Sequence, residues 1–525
     1  MPRLQTSFAF AADTDLTQLL EKVSVIGMIV EQEVLKDKFQ YLDTFDWQLY
    51  KKGRVCMRRG VDLYTLSDFS GSAVTEGTGP ETHAPLGREF VSTPLADDLV
   101  PLLGIRALIP CADIERKKRF FHLLNKDEKI ILRFCLELNS SFSEGTAQTS
   151  GGCIRLYGLR GYEKNFHRLR QLLTEKGLQE GCGEDLLLRQ VLAGRKRQPL
   201  DYNSKFNIAL DDRESISEAA RDIFLLLADD MALNIPGIIQ DWDSEFLHDF
   251  RVALRRSRSL LSSLKKMMPM NECADMLAGL KAIGTASGPV RDLDVYLLEQ
   301  EAYQALLPES LHQGLKEFFA SLAAARDKEF VQLTQALQSP EYEKFMSQWL
   351  DFIHNRLCSL TGTGGQQPCR KAAAKLIRKR LEKILHAGEA ISGECPDEEL
   401  HKLRIQCKKL RYLLEFYRSL FPEKAMAACI AQLKKIQDNL GTFNDLSVQQ
   451  EMLSNYHEHL TPGSKKNMHI AASLGGLITH LQNDQQKVRK KIGKTYSHFA
   501  TAENKALFHD MLDAPVVRVK RGETK

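Results

Sequence analysis

LHDFRVALRRSR at residues 247–258 and LHKLRIQCKKLR at residues 400–411 decide how the second half of this chain is read. Each sets a histidine after a leucine and follows it with cations three or four residues apart. With about 100° between successive helical residues, His248, Arg251, Arg255 and Arg258 fall in a stripe about 80° wide. Leu247, Phe250, Leu254, Leu261 and Leu264 take the adjoining side. In the second segment His401, Arg404, Lys408 and Arg411 share the stripe, and Leu403, Cys407, Leu410 and Leu414 the apolar side. Both segments therefore predict amphipathic helices with a core-facing row beside a row of cations.

The two segments are copies. The offset 401 − 248 = 153 also pairs Pro269 with Pro422, Leu280-Lys281 with Leu433-Lys434, Gly288 with Gly441 and Asp292-Leu293 with Asp445-Leu446. Upstream it pairs Ala219-Ala220 with Ala372-Ala373. Ungapped register over that span indicates an internal duplication of a helical unit. From about Ser215 the chain reads as helical, and TGTGGQQP at 361–368 divides it into halves, 211–360 and 368–505.

No acidic residue lies inside either stripe, so neutralisation at i, i+4 is not expected. Like charges on adjacent turns repel by about a few tenths of a kcal/mol per pair, and a single basic run is ordinarily a solvated face. Two registered copies point instead to a bound anion that compensates them, and Arg grips phosphate oxygens with a planar fork. Arg256, Lys265, Lys266 and Lys281 add charge nearby in the first half, as do Lys375, Arg378, Lys379, Arg380, Lys409, Lys434 and Lys435 in the second. Each histidine either bonds a neighbouring helix or touches the anion. A metal site is not expected, since the stripes hold no acidic or Cys companion, and His457-Glu458-His459 at i, i+2 cannot converge from a helix. Asp292 and Asp445 read as helix caps.

The 525 residues are 43% hydrophobic and 27% charged, which excludes a disordered or fibrous protein and suggests at least two domains. The net charge is only +4, with 28 basic against 26 acidic residues before position 200, so a polyanion site must arise from local clustering. Eleven cysteines without a Cys-x-x-Cys pair read as reduced, buried thiols rather than a disulfide framework or zinc ribbon. The absence of a signal-peptide layout and of a long apolar run implies a cytoplasmic, non-membrane protein.

The first 190 residues read as β-rich. Ile130, Leu132, Phe134, Leu136 and Leu138 alternate with Ile131, Arg133, Cys135 and Glu137, the period of a strand with one buried face. Ser140–Gly152 reads as a loop to a second strand at Ile154–Leu159, and Gly71–Gly87 as a long surface loop. Tyr162–Lys176 reads as a helix ended by Gly177. Residues 183–205, with the connection proper at 191–210, read as a linker, and 506–525 as a basic tail.

The motif His248-Asp-Phe-Arg251-Val-Ala-Leu-Arg255-Arg256-Ser-Arg258, its copy from His401 to Arg411, and Val290-Arg291-Asp292-Leu293-Asp294-Val295 resemble the signature of the CHAD domain, the conserved histidine α-helical domain, over about residues 205–505. The resemblance implies two pseudo-symmetric helical bundles with a basic groove that binds inorganic polyphosphate, without a cofactor. Its candidate contacts are His248, Arg251, Arg255, Arg256, Arg258, Lys265, Lys281, Lys375, Arg378, Lys379, His401, Arg404, Lys408, Lys409, Arg411 and Lys434. Asn444 and Ser447 stand where the first copy has Arg291 and Asp294, a departure confined to that loop. The implied address is the cytoplasm, alone or on polyphosphate granules.

Tyr41-Leu-Asp43-Thr44-Phe-Asp46 and the basic stretch Gly53–Arg58 resemble the CYTH domain, the antiparallel tunnel fold of triphosphatases and adenylate cyclases. That family's metal-binding strand Glu-x-Glu-x-Lys would align with Arg3, Gln5 and Ser7, which lack the hard carboxylates a divalent cation needs. Ser67 stands at a phosphate-binding Lys position, and Arg155 and Tyr157 at acidic ones. Arg58, Arg116 and Arg119 read as ordinary surface charges, with contact to an anion as the alternative. The expected architecture is thus a degenerate CYTH-like β domain followed by an all-α CHAD domain, α+β overall. A polyphosphate binder is expected. The rivals are a metal-dependent triphosphatase resting on Glu31, Glu33 or Glu137, and a nucleic-acid binder, for which Tyr412 is the only aromatic near a stripe.

Overall fold

The structure, a computed structural model, describes residues 4–91, 93–143, 146–264, 270–358, 364–389, 391 and 395–515. The chain separates into two compact units, Met1–Ser204 and Lys205–Lys525.

The first unit is built on strands β1 (Gln5–Phe10), β2 (Met28–Asp43), β3 (Arg54–Arg59), β4 (Leu63–Asp68), β5 (Val74–Thr78), β6 (Ile109–Leu124), β7 (Ile130–Ser143), β8 (Thr146–Gly158) and β9 (Gln179–Glu180). Its helices are α1 (Leu16–Ser24), α2 (Gln48–Lys51), α3 (Pro94–Leu103), α4 (Glu163–Glu175) and α5 (Glu184–Gly194). The strands form an antiparallel sheet in the order β5-β4-β3-β2-β6-β7-β8-β1-β9. α4 ends as expected, with Gly177 at φ +78° where a side chain would be strained.

Three sequence expectations for this unit need correction. Residues 140–143 and 146–152 carry β7 and β8 onward, pairing Ser140 with Thr149 and Ser141 with Gln148, so the hairpin is longer than its Ser- and Thr-rich composition suggested. Val74–Thr78 within the presumed surface loop pairs with β4. Most consequentially, the start of the presumed linker is α5, whose Leu188, Val191 and Leu192 pack against Phe39, Tyr41, Tyr50, Met57 and Ile114. α5 explains why β7 is covered on both faces. Leu132, Phe134 and Leu136 meet α1 and α4, while Ile131, Cys135 and Glu137 on alternate positions are also buried. Apolar residues at 187, 188, 191 and 192 have helical spacing, but the basic run that follows them masked it.

The second unit is helical: α6 (Ile216–Ile239), α7 (Ser244–Leu264), α8 (Met270–Ala286), α9 (Gly288–Leu298), α10 (Gln300–Ala305), α11 (His312–Leu337), α12 (Pro340–Asp351), α13 (Cys369–Glu389), α14 (Asp397–Phe416), α15 (Glu423–Glu458), α16 (Lys465–Phe499) and α17 (Ala502–Asp513). The duplication is visible in the backbone. Ile216 N–H donates to Gln367 O at 2.9 Å and Cys369 N–H donates to Glu214 O at 2.8 Å, a reciprocal pair whose members are related by the offset of 153. The starts of α6 and α13 thus meet about a pseudo-twofold axis. Asp243 Oδ1 starts α7 by accepting from the Glu245 and Phe246 N–H groups.

The apolar rows behave as their spacing predicts: Leu247, Phe250, Leu254, Leu261 and Leu264, and Leu403, Cys407, Leu410 and Leu414, are all buried. The copies differ at one break. Pro289 follows the first turn boundary between α8 and α9, where its ring removes a backbone donor; Thr442 at the matching position lets α15 run through. Neither Asp292 nor Asp445 is therefore a cap, since α9 begins four residues before Asp292 and Asp445 lies in mid-helix. The C-terminal expectation also changes. Residues 502–513 form α17, which buries Phe508, Met511 and Leu512, and only 516–525 lie outside the described residues.

Candidate functional site

The cation stripes lie on α7 and α14, and these helices touch. Arg256 Nη2 donates to Glu415 Oε2 across them at 3.0 Å, over the Phe206 ring at 5.3 Å. Lost solvation is the main reason that Arg404 and Lys408 hold their protons less tightly, and the charge of Arg255 in the first copy adds to it in both. A pair of helices that bury matching leucine rows thereby brings two rows of cations to one face.

Within the first copy, Arg251 Nη1 donates to Gly284 O at 2.9 Å and Ser287 Oγ at 2.8 Å. Lost solvation, and then Arg255, Arg291 and Arg258, lower its pKa, opposed by Asp292. Gly284 and Gly288 make room for these side chains. A Cβ at Gly284 would stand 3.2 Å from Arg258 Nη1, and one at Gly288 3.7 Å from Arg251 Nη1. Lys281, exposed one turn before Gly284, shares that side of α8. Arg291 reaches Glu245 at 3.3 Å, and His248 has its pKa lowered by burial and then by Arg291, with Arg255 adding to the effect against Glu245 and Asp249.

In the second copy Arg404 Nη2 donates to Asp445 Oδ1 at 3.4 Å, and His401 Nδ1 lies 2.8 Å from Asn444 Oδ1. The departure from the family pattern at Asn444 thus supplies a partner for the stripe histidine. The Lys408 ammonium is pulled down to about 8, first by lost solvation and then by Arg404 and Arg255. Lys408 is exposed as a residue, yet its ammonium loses solvation, and the neighbouring cations add to that effect. Lys434 is exposed on α15, three turns before Asp445 and on the same side. The Nε–H groups of Arg251 and Arg404, equivalent in the repeat, are buried without a hydrogen-bond partner among the described residues. Two matched donors left over beside unpaired Arg255 and Lys408 are what an oxyanion would satisfy.

Other candidates are placed elsewhere. Arg411 Nε donates to Glu415 Oε1 at 2.5 Å, so the stripe's end is neutralised at i, i+4 after all, and the same carboxylate holds Arg256. Arg378 turns to Asp513 of α17 at 2.8 Å, and Arg380 to Gln406 on the side of α14 away from the stripe. Lys375 and Lys379 are exposed on α13, the helix that carries Arg378. Lys409 neighbours the stripe in sequence, but about 100° around the helix. Lys265, with Lys266, lies outside the described residues. Sequence reading missed Glu415, although its i+4 spacing from Arg411 was a usable signal. Ser287 carried no such signal.

In the first unit the basic residues are engaged rather than free. Arg116, read as a surface charge, is buried and donates to Glu184 at 2.9 and 3.1 Å, to the Tyr41 hydroxyl at 2.7 Å and to Asn139 at 2.9 Å. Burial opposes ionisation of Glu184, yet the Arg116 charge and hydrogen bonds hold its carboxyl below the usual range. Arg58 is likewise buried, donating to Gln40 and Thr82 O. Arg155 pairs with Glu137 at 3.0 Å and Arg119 with Glu31 at 2.8 Å, which occupies two of the carboxylates a metal would need. Asp43 accepts from the Thr44, Leu49 and Tyr50 N–H groups, so that part of the Tyr41–Asp46 motif shapes the turn into α2. Arg3 lies outside the described residues.

Duplicated helices with matching leucine and cation rows define an internally repeated helical module. Residues 222–454 match the family model described as CHAD domain, and the helical unit carries a CHAD domain there. Two Mycobacterium tuberculosis proteins described as uncharacterized are each 26% identical over 168 residues, 32% of this chain and 33% of the relative. The match therefore spans about a third of the length of these curated relatives. The crystal structure of the CHAD domain from the plant Ricinus communis aligns with 56% of this chain and 96% of its own at 23% identity and a TM-score of 0.49. PptA from Streptomyces chartreusis aligns with 54% and 100% at 13% identity and a TM-score of 0.42. No described helix is long and apolar enough to cross a membrane.

Proposed function

We propose that the helical unit binds inorganic polyphosphate in a basic groove between α7 and α14, with His248, Arg251, Arg255, Arg258, Lys281, His401, Arg404, Lys408 and Lys434 as its contacts. The observation that carries this reading is that α7 and α14 meet through Arg256 and Glu415 with a cation row on each, while the equivalent Nε–H groups of Arg251 and Arg404 lack acceptors among the described residues. CHAD domains are associated with polyphosphate. The Arg256–Glu415–Arg411 cluster then braces the two helices rather than touching ligand. A cytoplasmic address belongs to the same proposal. The groove offers charge without a paired general acid and base, which suits binding rather than turnover.

A pH profile tests the groove. Anion binding favours protonated Lys408, so its pKa of about 8 in the free protein should rise in the complex. Affinity is then fully present below pH 8 and declines as pH rises through the bound-state value. His248 adds a second window, because its lowered pKa in the free protein implies tighter binding as pH falls below the ordinary histidine range near ~6.5. Titrations from pH 5.5 to about 9.5 should show both limbs. Lys408→Arg should flatten the alkaline limb and His248→Gln the acidic one; limbs that persist unchanged in these variants refute the assignment.

The N-terminal unit is proposed to be a catalytically silent, CYTH-like domain. Its support is that Glu184, Glu137 and Glu31 hold Arg116, Arg155 and Arg119. Tripolyphosphate with magnesium or manganese should release no phosphate above the protein-free rate; turnover that disappears on Arg116→Ala would establish the triphosphatase reading instead.

A further inference from the structure

The outer face of α16 carries a second basic row that the groove does not use. His480, Lys487, Lys490, Lys491, Lys494 and His498 are all exposed and recur at spacings that keep them within about 100° of helix surface. From His480 to His498 the row is about 27 Å long at about 1.5 Å per residue. Its one acidic neighbour is Asp484, 2.9 Å from Lys487; Lys490, Lys491 and Lys494 have no ion pair among the described residues. An ordinary solvated face alternates signs along its length, and this one does so only at Asp484.

The row did not come with the duplication. α11 (His312–Leu337), which precedes the break between the halves as α16 follows the second stripe helix, has only Lys316, Arg326 and Lys328 as Lys or Arg residues and no comparable row. The second copy alone has acquired it. Its placement relates it to the groove. Arg489 bonds Asp397 and the Cys395 carbonyl at the start of α14, one turn before His401 and in line with the stripe. Arg489 thereby fixes α16 beside the start of α14, and the lysines, on the side of α16 opposite Arg489, face away from that contact.

We infer that this lysine row is a secondary polyanion track, and that it engages the part of a long polyphosphate chain that extends beyond the groove at His401. This rests on the groove reading given above. Lysine presents a point charge without a fork, which suits a mobile flexible chain more than a fixed phosphate geometry. Nucleic acid is the less suitable occupant. The row itself contains no aromatic residue other than its two histidines, and Tyr496, in the same stretch of α16, is buried on the opposite side. Two tethered sites on one chain raise affinity through effective concentration, so the track should make the protein selective for chain length.

The test is a titration of the full chain with two polyphosphate preparations, of about 10 and about 100 phosphates, matched in ionic strength. Wild type should bind the long chain more tightly per molecule. Lys487→Gln, Lys490→Gln, Lys491→Gln and Lys494→Gln combined should weaken the long chain by about 10- to 100-fold and the short chain by less than about twofold. All four side chains are exposed, and unchanged helicity would confirm that folding is intact. Equal losses for both lengths, or no loss for the long one, overturn the track and leave the groove standing. Wild-type failure to bind either length overturns the groove and the track together. Duplex DNA that binds as tightly as the long chain and shows the same loss in the variant would overturn polyphosphate as the occupant.

Discussion

Alanine at Arg251, Arg255, Arg404 and Lys408 together is expected to weaken polyphosphate binding by about 10,000-fold or more, taking about 1.5 kcal/mol for each charge-assisted contact. The salt dependence should change with it. Each cation withdrawn from phosphate removes about 0.7 from the slope of log K against log salt, so the variant's slope should be shallower by about 3. Two of the four residues also serve the fold: Arg251 ties α7 to Gly284 and Ser287, and Arg404 reaches Asp445. A double variant, Arg255→Ala with Lys408→Ala, avoids this, because neither side chain has a hydrogen-bond partner among the described residues. It should lose about 100-fold or more with melting unchanged. Full retention of either variant on a polyphosphate column, at wild-type helicity, would dispose of the groove.

Removing Glu184 should be the most damaging single change to the first unit. Glu184→Ala strands the Arg116 guanidinium inside the sheet with Asn139 and the Tyr41 hydroxyl as its remaining partners. Breaking a buried pair from one side costs about 3–5 kcal/mol, since the buried charge left behind loses its hydrogen-bonded counter-ion. Arg116→Met combined with Glu184→Leu should recover most of that loss, because the desolvation penalty leaves with the pair. Urea unfolding monitored by amide exchange in β6 and β7 reads the effect where it arises. An unaltered midpoint in Glu184→Ala would show that the pair contributes nothing to the fold. The same experiment bears on α5, which carries Glu184 and would be released with the pair.

Periodicity within a few helical turns was legible because it depends only on backbone geometry. The leucine rows at 247–264 and 403–414 are buried, and the registered offset of 153 reappears as the reciprocal bonds joining 214–216 with 367–369. The resemblance to the CHAD domain rested on the same short-range pattern, and residues 222–454 match that family. What the sequence could not supply were partners brought together by folding. Arg256 and Glu415 lie 159 positions apart, Arg378 and Asp513 lie 135 apart, and Arg116 and Glu184 lie 68 apart. Arg256 and Arg258 look alike in the string RRSR, yet one points at a carboxylate across the helix pair and the other at Gly284. A cation's fate depends on what stands opposite it in space, and a helical wheel shows direction without showing what lies there. The same limit made α5 look like a linker and Asp292 like a cap. The sequence by itself determined two copies of a helix with a leucine row and a cation row. Tertiary structure alone decided which cations are neutralised and which are left facing one another, because ion pairing falls off over a few ångströms and only packing sets those distances.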